Sequence, residues 1–341
     1  YANANVKNSL IINNGYSAKS SDQYGIISLT GGSIDNCIVR HNKVNMSHVI
    51  KCASNVTVSN TLFEDLNCYT SAAFDFTKTT VSDCKFIDIY NKKAWDGLMD
   101  LYQTTFNRCL VKNCNSEGSV MKLRNSSVIS NSIVCKCKSS TGNFLNNNVL
   151  DLNGASKIIN CTIVDNVSFN GHAVYIYTDD KIINSIIVSN SPNLSSKGIV
   201  SYSLIEGGFN GVGNINGGIN AAAFVDAENG DYSLQKRSVC INNGTDVSET
   251  LDFLGNERKQ NLITDIGAIE SPYMSNIPVD SIIYVKEGSN GFGSSWEDAL
   301  GDINLAVTLA STTGKRHQVW VAAGTYYGDT TAAAALFLAP G

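Results

Sequence analysis

Three carboxylates and a cation recur at one position of a repeating chain, Asp75, Asp100, Asp151 and Lys122, with Arg124 two residues beyond it. Brought onto one face, they are equipped for two kinds of chemistry. Paired carboxylates divide acid and base roles, one protonated and one ionised. Alternatively Asp75 and Asp100 hold Ca²⁺, a hard cation that takes carboxylate oxygen, while Lys122 or Arg124 serves as the base. Trp95, Tyr102 and Tyr90 offer aromatic faces to the C–H side of a pyranose ring, and Asn153 an amide for its hydroxyls. The plain alternative is a solvated face. Asp100 beside Lys122, and Lys122 beside Asp151, are then exposed ion pairs contributing roughly 0–1 kcal/mol each.

A repeat must position these residues. A short phrase, clearest at Ile158-Ile159-Asn160-Cys161-Thr162-Ile163-Val164, recurs with Asn or a similar residue at 8, 36, 60, 83, 108, 131, 160 and 184. A period in the twenties without helical spacing indicates a solenoid of β-coils. The apolar residue two before the Asn and the one three after it form columns. That odd offset is incompatible with a straight strand, whose side chains alternate, so the chain must bend at the Asn. Asn tolerates the left-handed backbone of such a bend, and Asn8, Asn36, Asn60, Asn131, Asn160 and Asn184 form a candidate ladder of stacked amides. The small residue that follows (Cys37, Thr61, Cys84, Cys109, Ser132, Cys161, Ser185) points inward.

Each coil also carries an earlier strand with an inward pair: Ile27 and Leu29, Ile50 and Cys52, Phe74 and Phe76, Met99 and Leu101, Met121 and Leu123, Leu150 and Leu152, Tyr175 and Tyr177. The residue between the members of a pair points outward. Down the stack that row reads Ser28, Lys51, Asp75, Asp100, Lys122, Asp151, Ile176, with Thr77, Tyr102, Arg124 and Asn153 two positions further on. The expected fold is all-β: a right-handed parallel β-helix over 1–220, closed by an irregular C-terminal cap over 221–270. A linker at 271–281 leads to 282–341, the strand–helix–strand N-terminal cap of a second β-helix module. Its amphipathic helix spans 296–310, with Ile303, Ala306, Val307 and Ala310 on one face. The chain reads as an excerpt, opening within a coil and stopping in mid-module.

Composition narrows the partners. A net charge of -5 excludes a nucleic-acid surface, which needs clustered Lys and Arg. No apolar run has the length of a membrane span. The ten cysteines lack paired zinc spacing and are expected as free thiols acting as small buried hydrophobes; disulfides between neighbouring coils are the alternative. His41, His48, His172 and His317 are scattered.

Two resemblances add to this reading. The charged first-strand face resembles that of the β-helix pectate lyases and polygalacturonases. In the former, Ca²⁺ acidifies the proton alpha to a uronate carboxylate and Arg or Lys removes it; in the latter, paired carboxylates act. Gly171-His172 and Asp179-Asp180 occur in the reverse of the polygalacturonase order and are chance matches. The blocks Asp231-Tyr232-Ser233-Leu234, Ser238-Val239-Cys240-Ile241-Asn242-Asn243-Gly244, Leu254-Gly255-Asn256-Glu257-Arg258 and Asp265-Ile266-Gly267-Ala268-Ile269-Glu270 resemble the C-terminal end of choice-of-anchor Q proteins. That resemblance implies export to the outside of a bacterium of the Bacteroidota type; it implies no activity. The expectation is a non-catalytic extracellular spacer or adhesin. Its partners are glycans, a cell-surface protein or neighbouring modules of its own chain. A polysaccharide lyase or hydrolase, and an export or anchoring passenger without ligand, are the alternatives. No cofactor is expected beyond possible Ca²⁺.

Overall fold

The fold comes from a computed structural model that describes residues 2–17, 25–45, 48–70, 72–92, 97–140, 147–258, 264–273, 282–289, 291, 293–301, 303, 306–307, 310 and 318–326. It is a right-handed parallel β-helix, with the hand that parallel crossovers adopt. Successive coils hydrogen-bond in register into two long parallel sheets, of 14 and 15 strands. The inner columns are as expected. Val81, Phe106, Ile129 and Ile158 pair in one row of the first sheet, and Val39, Phe63, Phe86, Val111, Val134 and Ile163 line the second, all fully buried. Phe63 and Phe86 stack at 4.8 Å, with Phe74 edge-on to both.

What turns the chain at each corner is a paired device. The corner residue is left-handed: Asn8, Asn36, Asn60, Asp83, Arg108, Asn131, Asn160 and Asn184 all have φ near 50°. The next residue is small, buried, and carries an O–H or S–H. Ser132 Oγ donates to the carbonyl of Ser130 at 2.7 Å and accepts the backbone N–H of Cys109 from the coil before at 3.0 Å. Ser185 does the same between Ile183 and Cys161, and Thr61 between Ser59 and Cys37. Cys109 repeats the pattern with a thiol, donating to the Asn107 carbonyl. Small size alone does not define this column; a hydroxyl or thiol is needed to satisfy a buried N–H that has no strand partner.

Left-handed corners recur elsewhere in the coil, with a polar follower in some coils (Asn42, Cys114, Cys137, Asn166) and an apolar one, Leu66 or Ile89, in others. Five residues after each first corner lies another left-handed residue, at Asn13, His41, Asp65, Asp88, Asn113, Lys136, Asp165 and Ser189. A third set, Lys78, Gln103, Ser126 and Ala155, precedes buried Thr79, Thr104, Ser127 and Ser156. Buried Asp180 ends this third column by accepting the N–H groups of Ser156 and Tyr177.

The amide ladder is partial. Asn36 donates to Asn8 at 2.7 Å, Asn160 to Asn131 at 3.2 Å and Asn184 to Asn160 at 3.0 Å. Asn60 turns instead to Asp35, and between the two runs the ladder is replaced by a two-bond ion pair, Arg108 to Asp83, at 2.7 Å for both bonds.

The described residues of 221–270 are irregular apart from the end of the helix turn Ile219–Ala222 and the antiparallel pair Phe224–Asp226 and Asp231–Leu234. They lie along the flank of the second sheet. Ile133, Cys135, Val164, Ile186 and Val188 point out of the β-helix, and Tyr232, Leu234, Val239, Ile266 and Ala268 join them in one apolar cluster. The segment is therefore a cover for late coils. Its anchor is Arg258, which is fully buried and donates to Asn131 of the ladder and to the carbonyls of Asp265, Gly267 and Ala268. Its guanidinium also pairs with Glu270 at 2.9 Å. Gly267 (φ 110°) sits so close to Ile186 that a Cβ would come within 2.7 Å of its Cδ1. Ser271, expected in the linker, belongs to the cover: it is buried and its N–H bonds to Asp265. Positions 274–281 of the expected linker lie outside the described residues.

Beyond it, Ile282–Val285 and Gln318–Val321 pair in parallel, as a strand–helix–strand unit requires. Trp296 to Leu300 are not helical, because Leu300 bridges to Val285 as a third short strand segment; Ile303, Ala306, Val307 and Ala310 are helical. Lys236 of the cover reaches Asp298 at 3.0 Å.

Two outcomes follow. Ser132→Ala leaves the Cys109 N–H unpaired and is expected to cost roughly 1–3 kcal/mol in denaturant unfolding, whereas Ser132→Cys keeps a donor and acceptor and costs less. Three carboxylates (Asp252, Asp265, Glu270) surround the Arg258 guanidinium. Burial pushes Glu270 up from 4.5 to about 8, against the pull of Arg258, and lifts Asp265 too. The folded cover therefore holds protons that the unfolded chain has released, so stability falls as pH rises from 4.5 to about 8. Melting temperature measured across that range should decline, and Glu270→Gln should flatten the decline.

Candidate functional site

The outer row of the first sheet is built by pairing, residue on residue: Ser28 to Lys51, Lys51 to Asp75, Asp75 to Asp100, Asp100 to Lys122, Lys122 to Asp151, Asp151 to Tyr175. Two positions on, Thr77, Tyr102 and Arg124 form the second row. All five charged candidates thus share one face. One correction applies at its end. Val174 and Ile176 are the buried inward pair, and Tyr175 stands outside next to Asp151. The expected Tyr175/Tyr177 pair was one residue out of step.

On this face opposite charges answer one another. Lys51 Nζ lies 3.1 Å from Asp75 Oδ2, and Arg124 Nε lies 3.1 Å from Asp100 Oδ1. Asp151 is the most enclosed. Burial lifts its pKa above the ordinary carboxylate value, against Lys122, a hydrogen bond from Asn148, and Arg124. Its Oδ1 is buried without a hydrogen-bond partner among the described residues. Tyr175 and Tyr177 meet edge to face at 5.0 Å beside it, with His172 6.3 Å from Tyr175. These three aromatic rings were not singled out as site residues, because the one-residue slip had placed the two tyrosines inside.

The remaining candidates disperse. Tyr102 stays on the face, its hydroxyl accepting from Asn125 at 2.9 Å. Asn153 follows the strand end and is exposed. Tyr90 lies on the second sheet, around the coil, between Asn67 and Asn115. Trp95 lies outside the described residues. Asp75 and Asp100 are adjacent, yet each carboxylate is engaged by a cation, and no three His, Cys, Asp or Glu side chains converge as a metal cluster among the described residues. All ten cysteines are buried free thiols; burial pushes Cys52 and Cys161 up to about 12, which removes them from thiolate chemistry. His41 is spent on Asp65 at 2.7 Å.

No described helix is long and apolar enough to cross a membrane. Compared with protein-family models and with curated proteins, the chain matches none.

If the pairs on this face are half-exposed ion pairs, a double-mutant cycle on Asp100→Asn and Arg124→Gln should give a coupling below about 1 kcal/mol. It should shrink further in about 0.5 M salt, where screening acts within a few ångström.

Proposed function

We propose that this protein is a non-catalytic β-helix that works outside a bacterial cell as a stiff spacer presenting adhesive faces, with glycans as the partners. One observation carries the reading: the two adjacent carboxylates that could share Ca²⁺ are each answered by a cation, Asp75 by Lys51 and Asp100 by Arg124. A base held in an ion pair is a weaker proton acceptor than a free one, and a carboxylate so engaged gives Ca²⁺ less of its charge. Corner hydrogen bonds repeated from coil to coil support the stiffness. Low charge, at 16% of residues, and the resemblance of 221–270 to choice-of-anchor Q proteins support an exported location.

A second reading rests on Asp151. Its unpartnered Oδ1 and raised pKa are the properties of a proton donor, and Tyr175 and Tyr177 stand where a sugar ring would sit. On that reading the protein is a lyase or hydrolase of acidic glycans.

Incubation with polyuronates, with and without Ca²⁺, separates the two. We expect no ultraviolet-absorbing unsaturated product and no new reducing ends. Product that appears with the native chain and vanishes in Asp151→Asn would transfer the protein to the enzymes.

A further inference from the structure

A different face of the coil carries a ligand-shaped feature that the charged row does not. After the second corner the second sheet continues as a third side, made from Lys43–Asn45 and the ends of Leu62–Tyr69 and Lys85–Asn91. Register places Lys43, Asn67 and Tyr90 in one outward row and Asn45 beside Tyr69 in the next, with Lys92 continuing through its N–H to the Cys68 carbonyl. Val44 and Cys68 alternate inward and are buried, so their backbone forms a floor. Between these walls lies a depression of about 410 Å³, lined by Lys43, Asn67, Tyr69, Tyr90 and Lys92. A second one, of about 330 Å³, shares Lys43 and Asn67 and continues it toward the corner at His41 and Asp65.

The chemistry of this lining is specific. Tyr69 is 41% exposed, large for a tyrosine that alternates out of a strand, and stands diagonal to Tyr90. Exposed aromatic rings set in a shallow depression suit the C–H face of a pyranose. Asn67 supplies both a donor and acceptors for ring hydroxyls. Lys43 and Lys92 put two cations over the same depression in a chain whose net charge is -5. The neighbouring carboxylates are occupied, Asp65 by His41 at 2.7 Å and Glu117 by the Tyr90 hydroxyl at 3.4 Å. The larger depression crosses three successive coils, and the smaller one extends it sideways around the coil toward His41 and Asp65, so a chain of sugars could lie across the stacked rows.

We infer that this side of the early coils binds an anionic polysaccharide, its rings lying on Tyr69 and Tyr90 and its carboxylate or sulfate groups met by Lys43 and Lys92. This deepens the adhesive reading above by naming a site and a ligand class. It is independent of the outer row of the first sheet.

The test is calorimetric or biolayer binding of an oligogalacturonate, a sulfated oligosaccharide and a neutral cello-oligosaccharide to the full chain. The native chain should bind at least one anionic oligosaccharide and prefer it to the neutral one at least tenfold. Tyr69→Ala should weaken binding at least tenfold, and Lys43→Gln with Lys92→Gln should flatten its salt dependence. Lys181→Gln, an exposed lysine of the first sheet outside either site, should bind as the native chain does. These side chains are surface groups, and an unchanged melting temperature would establish that each variant is folded; should Tyr69→Ala not fold, Tyr69→Ser with Tyr90→Phe takes its place. Binding that survives Tyr69→Ala and the lysine pair, or equal affinity for the neutral oligosaccharide, would overturn the inference while leaving a non-catalytic adhesin standing. Inorganic polyphosphate binding as tightly would reduce the site to charge attraction and overturn it as well. Turnover in the assay of the preceding section would strike the adhesive reading but not this site.

Discussion

Everything in this molecule depends on how a buried corner satisfies its backbone. A strand pairs its N–H groups with the next coil, but at a sharp bend the N–H turns inward, where no water reaches it. At the first corner of the coil the small hydroxyl or thiol after the left-handed residue accepts that N–H from one coil and donates its own proton to a carbonyl of its own coil. An unpaired buried N–H costs roughly 1–3 kcal/mol, so the repeat of this relay along the stack decides that the coils stay stacked in register. Once register is held, everything on the outside becomes a straight row. The charged face and the Tyr69–Tyr90 depression are both by-products of that rule.

The relay also explains the cysteines. Cys37, Cys84, Cys109 and Cys161 alternate with Ser and Thr in one column because S–H and O–H do the same job there, the thiol over a longer distance. Their high count reflects the geometry of a corner and carries no message about oxidation or metal binding. Alanine would fill the space equally well and fail the hydrogen bond.

Much of this was legible in the residues. The odd offset between apolar columns forces a bend, and Asn at the bend announces a left-handed backbone; both are found. The third corner escaped notice because Lys78, Gln103 and Ala155 occupy it, types that do not advertise φ near 50°. The slip at Tyr175 has a similar cause. The first strand ends seven or eight residues before the corner, so either Tyr177 or Ile176 fits the spacing, and only the pairing of Asp151 with Tyr175 chooses. The flank cover had a visible sign that spacing arguments passed over. Early coils turn out a mixture, Arg40, Glu64 and Lys85 among Leu10, Ile38 and Leu62, whereas late coils turn out Ile133, Val164, Ile186 and Val188 with no charge among them. A row of outward aliphatics on a solvated sheet demands something to lie on it. The Tyr69–Tyr90 depression was half visible, since Tyr90 stood out as a possible sugar platform, but the diagonal placement of Tyr69 beside it depends on pairing that no spacing reveals.

The cover binds across coils, and that has a mechanical meaning. Arg258 holds Asn131, the Ala268 N–H donates to the Thr162 hydroxyl, and Gly267 and Thr245 hold Asn184, so one irregular segment is riveted to three successive turns about 10 Å from first to last. A solenoid pulled by its tail ordinarily unwinds one turn at a time, each rupture needing only the force of a single coil's bonds. Here tension arriving through residue 271 is shared by three turns at once, so they must yield together. The covered turns are the ones least able to peel.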